Sequence, residues 1–177
     1  MKLILSLILI PSLVFSQDIP LKEGFVVFEQ TDSTVAGTRD QLFNKAQQWA
    51  ATTLKKSLKE VKEEKREEGR IIVAVAGTIP TELLKAPIEN IEFILTIQTN
   101  DRRFSSEIAE IIGWPYGKET EKISLDLLNY RYSKSGDKNK KDKSYSAQQK
   151  EEDRATLQKV AEYMNAIQES LKEAMHR

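Results

Sequence analysis

Apolar residues alternate with polar ones through the middle of the chain and recur every three or four residues on either side of it. That pattern predicts a sheet flanked by helices. Gly24 to Gln30 is rich in β-branched and aromatic residues and stops at the polar Thr31-Asp32-Ser33, which reads as a strand. Thr38-Arg39-Asp40-Gln41 has the form of a capping box, and Leu42, Phe43, Ala46, Trp49, Ala50, Thr53, Leu54 and Leu58 follow it at helical spacing. Arg70 to Thr78 is mostly apolar, as expected of a strand covered on more than one side. Glu89 to Thr99 puts Ile91, Phe93, Leu95 and Ile97 on one face and Glu92, Ile94, Thr96 and Gln98 on the other. Asn100-Asp101 is turn chemistry, and Arg102 to Ile112 alternates through Phe104, Ser106, Ile108, Glu110 and Ile112, so these two runs are expected to pair as a hairpin. Gly113-Trp114-Pro115-Tyr116-Gly117 is expected to end the sheet, and Glu119 to Tyr132, with Ile123, Leu125, Leu127 and Leu128, suits a short helix. Ser146-Ala147-Gln148-Gln149 again has capping-box form. Leu157, Val160, Ala161, Met164, Ile167, Leu171, Ala174 and Met175 then make the apolar stripe of a long helix over 146–175.

Three stretches carry little periodicity. Between Lys59 and Glu68 nine of ten residues are charged, which fits either a continued helix or an exposed edge strand closed by a turn at Glu68-Gly69. Pro80 and Pro87 bracket a connection in which Thr81 to Lys85 suit a short turn. Residues 133–144 read as a flexible Lys-rich loop, with five Lys and two Asp between Ser133 and Lys143.

Residues 1–16 have another character. Lys2 precedes an apolar run from Leu3 to Val14, and Val14-Phe15-Ser16 offers small residues for a signal peptidase. The run is about 12 residues where a bilayer span needs roughly 20, so it is expected to be a cleaved signal and not an anchor. The mature protein is then expected to start near Gln17, to be periplasmic or secreted, and to keep no integral membrane segment. A lipid anchor would need a cysteine at the cleavage point, and the chain contains no Cys. The same absence excludes disulfides, thiol catalysis and cysteine metal ligands. Residues 17–177 are enough for one domain that folds on its apolar core. Without Lys2, 26 basic residues face 27 acidic ones, a balance that argues against nucleic acid as a partner.

Gly24-Phe25-Val26-Val27-Phe28, the run Gln41-Leu42-Phe43-Asn44-Lys45-Ala46-Gln47-Gln48-Trp49, and Ile91 to Ile97 with its turn and partner strand carry a family resemblance. Over residues 23–115 the chain resembles a family of secreted bacterial domains of unknown function with a TBP-like fold (DUF4468-like). The resemblance implies the order strand, helix, four strands, helix: an α+β domain of TBP-like or helix-grip type whose antiparallel sheet packs against two helices, the long one C-terminal. It also tips residues 59–66 toward a strand. The fold name does not imply DNA binding, because this neutral chain shows no duplicated half. Helix-grip relatives such as START-type lipid-transfer domains wrap a sheet around an apolar cavity, and the family offers no catalytic residues to carry over.

The chemistry available is sparse. The one His, His176, stands next to the C-terminus, where chain ends are commonly poorly ordered. Glu63, Glu64, Glu67 and Glu68 are interleaved with Lys62, Lys65 and Arg66, which suits a solvated hairpin face better than a metal site. Glu107 and Glu110 differ by three in a strand and are expected on opposite faces, too far apart for an acid/base pair. No cofactor, metal or catalytic residue is expected. The expected function is an extracytoplasmic, non-enzymatic binding or interaction module. A site for an apolar small molecule would lie between sheet and final helix, with Leu157, Ala161, Met164 and Ile167 on the helix side. The alternatives are a structural or protein-partner module of the cell envelope using the sheet edge or Trp114 and Tyr116, and a carboxylate-dependent enzyme using Glu107 or Glu110.

Overall fold

A computed structural model describes residues 19–55, 57–79, 88–115, 121–134 and 146–177. The expected signal (1–16), the turn at 81–85, Tyr116 and the loop from 135 onward lie outside the described residues.

The chain runs β1 (Leu21–Lys22), β2 (Phe25–Val26), β3 (Phe28–Asp32), α1 (Arg39–Thr53), β4 (Leu58–Lys65), β5 (Arg70–Thr78), β6 (Ile88–Asn100), β7 (Arg103–Pro115), β8 (Ile123–Ser124), α2 (Leu125–Lys134) and α3 (Ala147–His176). The main sheet is antiparallel in the order β3-β7-β6-β5-β4, with β8 added to the end of β7. β1 and β2 form a separate hairpin whose turn residues Glu23 and Gly24 both have positive φ, as the tightest hairpin turns require.

Both N-caps read from the sequence start helices, the first as a full capping box and the second through its Ser alone, since Gln149 Nε2 donates to Asp153 Oδ1. Thr38 Oγ1 accepts from the Gln41 N–H, and Gln41 Oε1 accepts from the Thr38 N–H at 2.9 Å. Ser146 Oγ accepts from the Gln149 N–H at 3.0 Å. Residues 58–65 are a strand, against their local helix propensity, so Leu58, expected on the apolar stripe of the first helix, instead starts β4 and pairs with Val75. β4 pairs on one side only, with β5, so its charged side chains stay solvated at the sheet edge. A single 3₁₀ turn (Arg66–Glu68) and Gly69, at φ 68°, close that hairpin.

Three differences from the sequence reading concern the C-terminal half. The sheet packs against three helices, because α2 joins α1 and α3; its packing on β7 and α3 is invisible to a short, weakly periodic run. Trp114 and Pro115 belong to β7, which runs past the Gly113 expected to stop it and pairs Trp114 with Asn90. Ser133 and Lys134 end α2 and are not part of a loop.

The helices lie on one face of the sheet. Ile91, Phe93, Leu95, Ile97, Phe104 and Ile108 are buried there with Leu42, Phe43, Leu157, Met164 and Leu171. Trp49 Nε1 donates to Ser170 Oγ at 3.1 Å, and Gln168 Nε2 donates to the Phe28 carbonyl at 3.0 Å, fixing α3 to α1 and to β3. Among the described residues the opposite face carries no helix.

Candidate functional site

The register of the strands composes that open face. One row across it is Glu63, Ile72, Thr96, Glu107 and Glu29. The next is Glu60, Ala74, Ile94 and Ala109, and the one after it Ala76, Glu92 and Ile112. Ile72, Ile94 and Ile112 are half-buried with no described helix over them, so the centre of the face is aliphatic and its borders are charged.

Ion pairs organise the borders. Lys59 Nζ meets Glu92 Oε1 at 2.7 Å. On the other side Lys22 reaches from the β1–β2 hairpin to Glu29 Oε1 at 2.7 Å and Glu107 Oε2 at 3.0 Å, and the hydrogen bond to Glu29, then that to Glu107, pushes its pKa above the ordinary lysine range. Arg70 and Lys65 both approach Glu63, at 3.4 and 3.6 Å. Glu110 and Lys62, both exposed, have no ionic partner among the described residues.

A β-bulge lies in the middle of the face. The pairing shifts between Glu92 and Ile94, so Glu110 and Ile111 together oppose Phe93, and Glu110 takes φ 53°. The extra residue breaks the alternation expected across 107–110. Glu107 and Glu110, expected on opposite faces, line one cleft of about 340 Å³ together with Lys22, Phe25 and Asp126. A second cleft of about 190 Å³ runs across the aliphatic centre between Lys62, Ala74, Ile94, Ile112 and Glu110. A third, of about 540 Å³, opens at the end of the sheet beside Ser57, Gly77, Asn90 and Trp114. A fourth, about 380 Å³ and polar, is walled by Glu29, Thr31, Gln98 and Ser105.

Of the residues singled out from sequence, Trp114 is half-buried beside the third cleft with the Lys122 ammonium 5.0 Å from its ring centroid. Leu157, Ala161 and Met164 are buried among the sheet and α1, and Ile167 packs partly buried against them. None of the four clefts is lined by these helix residues. The terminal His176 is ordered within α3, its Nε2 3.0 Å from Asp32 Oδ2. Sequence reasoning named Glu110 only for a carboxylate-dependent enzyme and missed Lys62 and Phe25 as site residues. The adjacent Ile111 and Ile112, which cannot both continue a period of two, are the one signal that pointed to the bulge.

The fold has solved relatives. A TBP-like protein from Parabacteroides distasonis superimposes with a TM-score of 0.62 at 19% identity, covering 87% of this chain and 97% of that one. A DUF4468 family protein from Bacteroides ovatus does so with a TM-score of 0.67 at 14% identity, covering 90% and 91%. No curated protein matches the chain. Residues 33–112 match the family described as a domain of unknown function (DUF4468) with TBP-like fold, the family whose likeness its sequence carries.

Proposed function

We propose that the protein is an exported, non-enzymatic interaction module that binds a protein partner in the cell envelope through the open face of its sheet. One observation carries this reading: all three helices cover one face, and the other presents half-buried Ile72, Ile94 and Ile112 inside a charged border. An apolar centre with a polar rim is the anatomy of a protein interface. Leu157, Ala161 and Met164, expected on the helix side of an apolar site, are buried and line none of the four clefts, which favours the protein-partner alternative. A carboxylate-dependent enzyme gains no support, since Glu107 is held by Lys22 and Glu110 is open to solvent. The residues before Gln17 support export. Among the described residues no helix is long and apolar enough to cross a membrane.

A photo-cross-linking residue at Ile94, expressed in the native host, tests the surface. Discrete adducts are expected from Ile94 and not from Leu127 on α2, and their absence from Ile94 at native expression would overturn the reading. The N-terminal sequence of the purified protein checks export: it is expected to start near Gln17, and a retained Met1 refutes it.

A further inference from the structure

The sheet narrows at the end where β5 outruns β4. β4 begins at Leu58, opposite Val75, and beyond it the Ser57 carbonyl continues the edge by accepting from the Ala76 N–H at 2.7 Å. Ala76, Gly77 and Thr78 run on as the border of the third cleft, whose volume of about 540 Å³ falls inside the roughly 300–1,000 Å³ of small-molecule sites. The register sets Thr78, Asn90 and Trp114 side by side across β5, β6 and β7 on the face away from the helices. Ala76 and Gly77 put no bulky side chain beside that row. β8 pairs Ile123 with Gly113, which brings the preceding Lys122 over the Trp114 ring, 5.0 Å from its centroid. Lys122 does not line the cleft, so its ammonium braces the ring and leaves the space beside it open.

We propose that this cleft binds a neutral pyranose, with the Trp114 ring against a C–H face of the sugar and Ser57, Thr78 and Asn90 at its hydroxyls. The site adjoins the open face and does not depend on a protein partner there. The chemistry of the lining selects the ligand class. Among the described lining residues Glu92 is the one that carries a charge, and Lys59 Nζ already holds it at 2.7 Å, so a phosphate, carboxylate or ammonium ligand would lose water without gaining a counter-charge. A wholly apolar ligand would cover Ser57, Thr78 and Asn90 and leave their hydroxyl and amide groups unpaired. A pyranose meets both demands. Its ring hydrogens carry a slight positive charge that suits the negative face of an indole, and its hydroxyls both donate and accept. Thr78 Oγ1 donates to Asn90 Oδ1 at 3.1 Å, which fixes the amide and leaves its two N–H donors without a partner among the described residues. The Thr78 oxygen remains an acceptor beside them, and donors next to an acceptor complement two adjacent hydroxyls on one sugar ring.

Titration of the full protein, as purified from its host, with the methyl pyranosides of glucose, galactose, mannose and N-acetylglucosamine and with their disaccharides tests this, the indole N–H resonances of the two Trp residues reporting separately. At least one sugar is expected to shift the Trp114 resonance and not that of buried Trp49, with a dissociation constant of about 1 mM or tighter. Calorimetry reads the variants, with circular dichroism confirming that each is folded. Trp114→Ala is expected to weaken binding by about tenfold or more, and Trp114→Phe, which keeps an aromatic face, to recover part of the loss. Asn90→Ala, at an exposed position, is expected to weaken it about fivefold. A disaccharide that binds more tightly than its monosaccharides supports a glycan as the source of the pyranose, and equal affinities support a free sugar. No shift of Trp114 by any of these sugars up to about 50 mM, or an affinity that neither Trp114→Ala nor Asn90→Ala changes, overturns the inference. Binding of glucuronate or of free indole in place of the neutral sugars overturns it as well.

Discussion

Glu110 is the residue at which sequence and backbone disagree most. It takes a left-handed conformation inside a strand, which costs a side chain with a Cβ about 1–2 kcal/mol, and none of its neighbours among the described residues offers it an ion pair in return. Glycine adopts that conformation without strain, so Glu110→Gly is expected to raise the unfolding free energy by about 1 kcal/mol, read from urea midpoints in dilute protein. Gly69 presents the opposite case. At φ 68° it closes the β4–β5 turn, its carbonyl accepts from the Thr99 N–H at 2.8 Å, and a Cβ there would sit 2.8 Å from Thr99 Oγ1. Gly69→Ala combines backbone strain with a clash against a buried strand and is expected to cost about 2–4 kcal/mol. Gly69 could be read from its place after a charged run. Glu110 could not, because a bulge arises from how two strands are paired and not from either strand by itself.

Elements with a regular apolar period were legible from their own residues: α1, β5, β6 and α3 lie where the spacing of Leu42 to Leu54, Ile71 to Val75, Ile91 to Ile97 and Leu157 to Met175 puts them. β4 was not legible, since charge at every position but Leu58 and Val61 gives neither a period of two nor one of 3.6. The family resemblance, not the residues, favoured the strand. α1 and α3 also show what a periodicity leaves out, namely which helix meets which. Trp49 joins them, with its ring buried and its indole N–H on Ser170 Oγ at 3.1 Å. Trp49→Ala is expected to cost about 3–5 kcal/mol through the lost contacts and the cavity left behind. Ser170→Ala, which only removes the acceptor, is expected to cost about 1 kcal/mol. Equilibrium urea unfolding separates the two, and near-equal losses would show that the ring's packing is not what holds the helices together.

At the scale of the molecule, the C-terminal end of α3 is tied back to α1 and to β3. Lys45 Nζ donates to the Met175 carbonyl at 2.8 Å, and the His176 ring lies 3.0 Å from Asp32 Oδ2. An ionised carboxylate only accepts, so the hydrogen bond places the proton on His176 Nε2. The Thr34 hydroxyl, then His176, then the Thr34 backbone N–H hold the Asp32 carboxyl well below the ordinary carboxylate range of about 3.9. A carboxyl with a depressed folded pKa stabilises the fold fully above its unfolded pKa and loses that contribution as the pH falls toward the folded value. Wild-type melting temperature is therefore expected to fall between pH 4 and pH 2, in part through Asp32. Asp32→Asn, which no longer titrates, is expected to start lower at pH 7 and to decline less steeply over the same interval. Parallel curves for the two proteins would mean that the contacts of Asp32 add nothing to stability. A difference would place an acid-labile tie at the one point where β3 and the C-terminal helix meet through charge, a link that no reading of either segment alone contained.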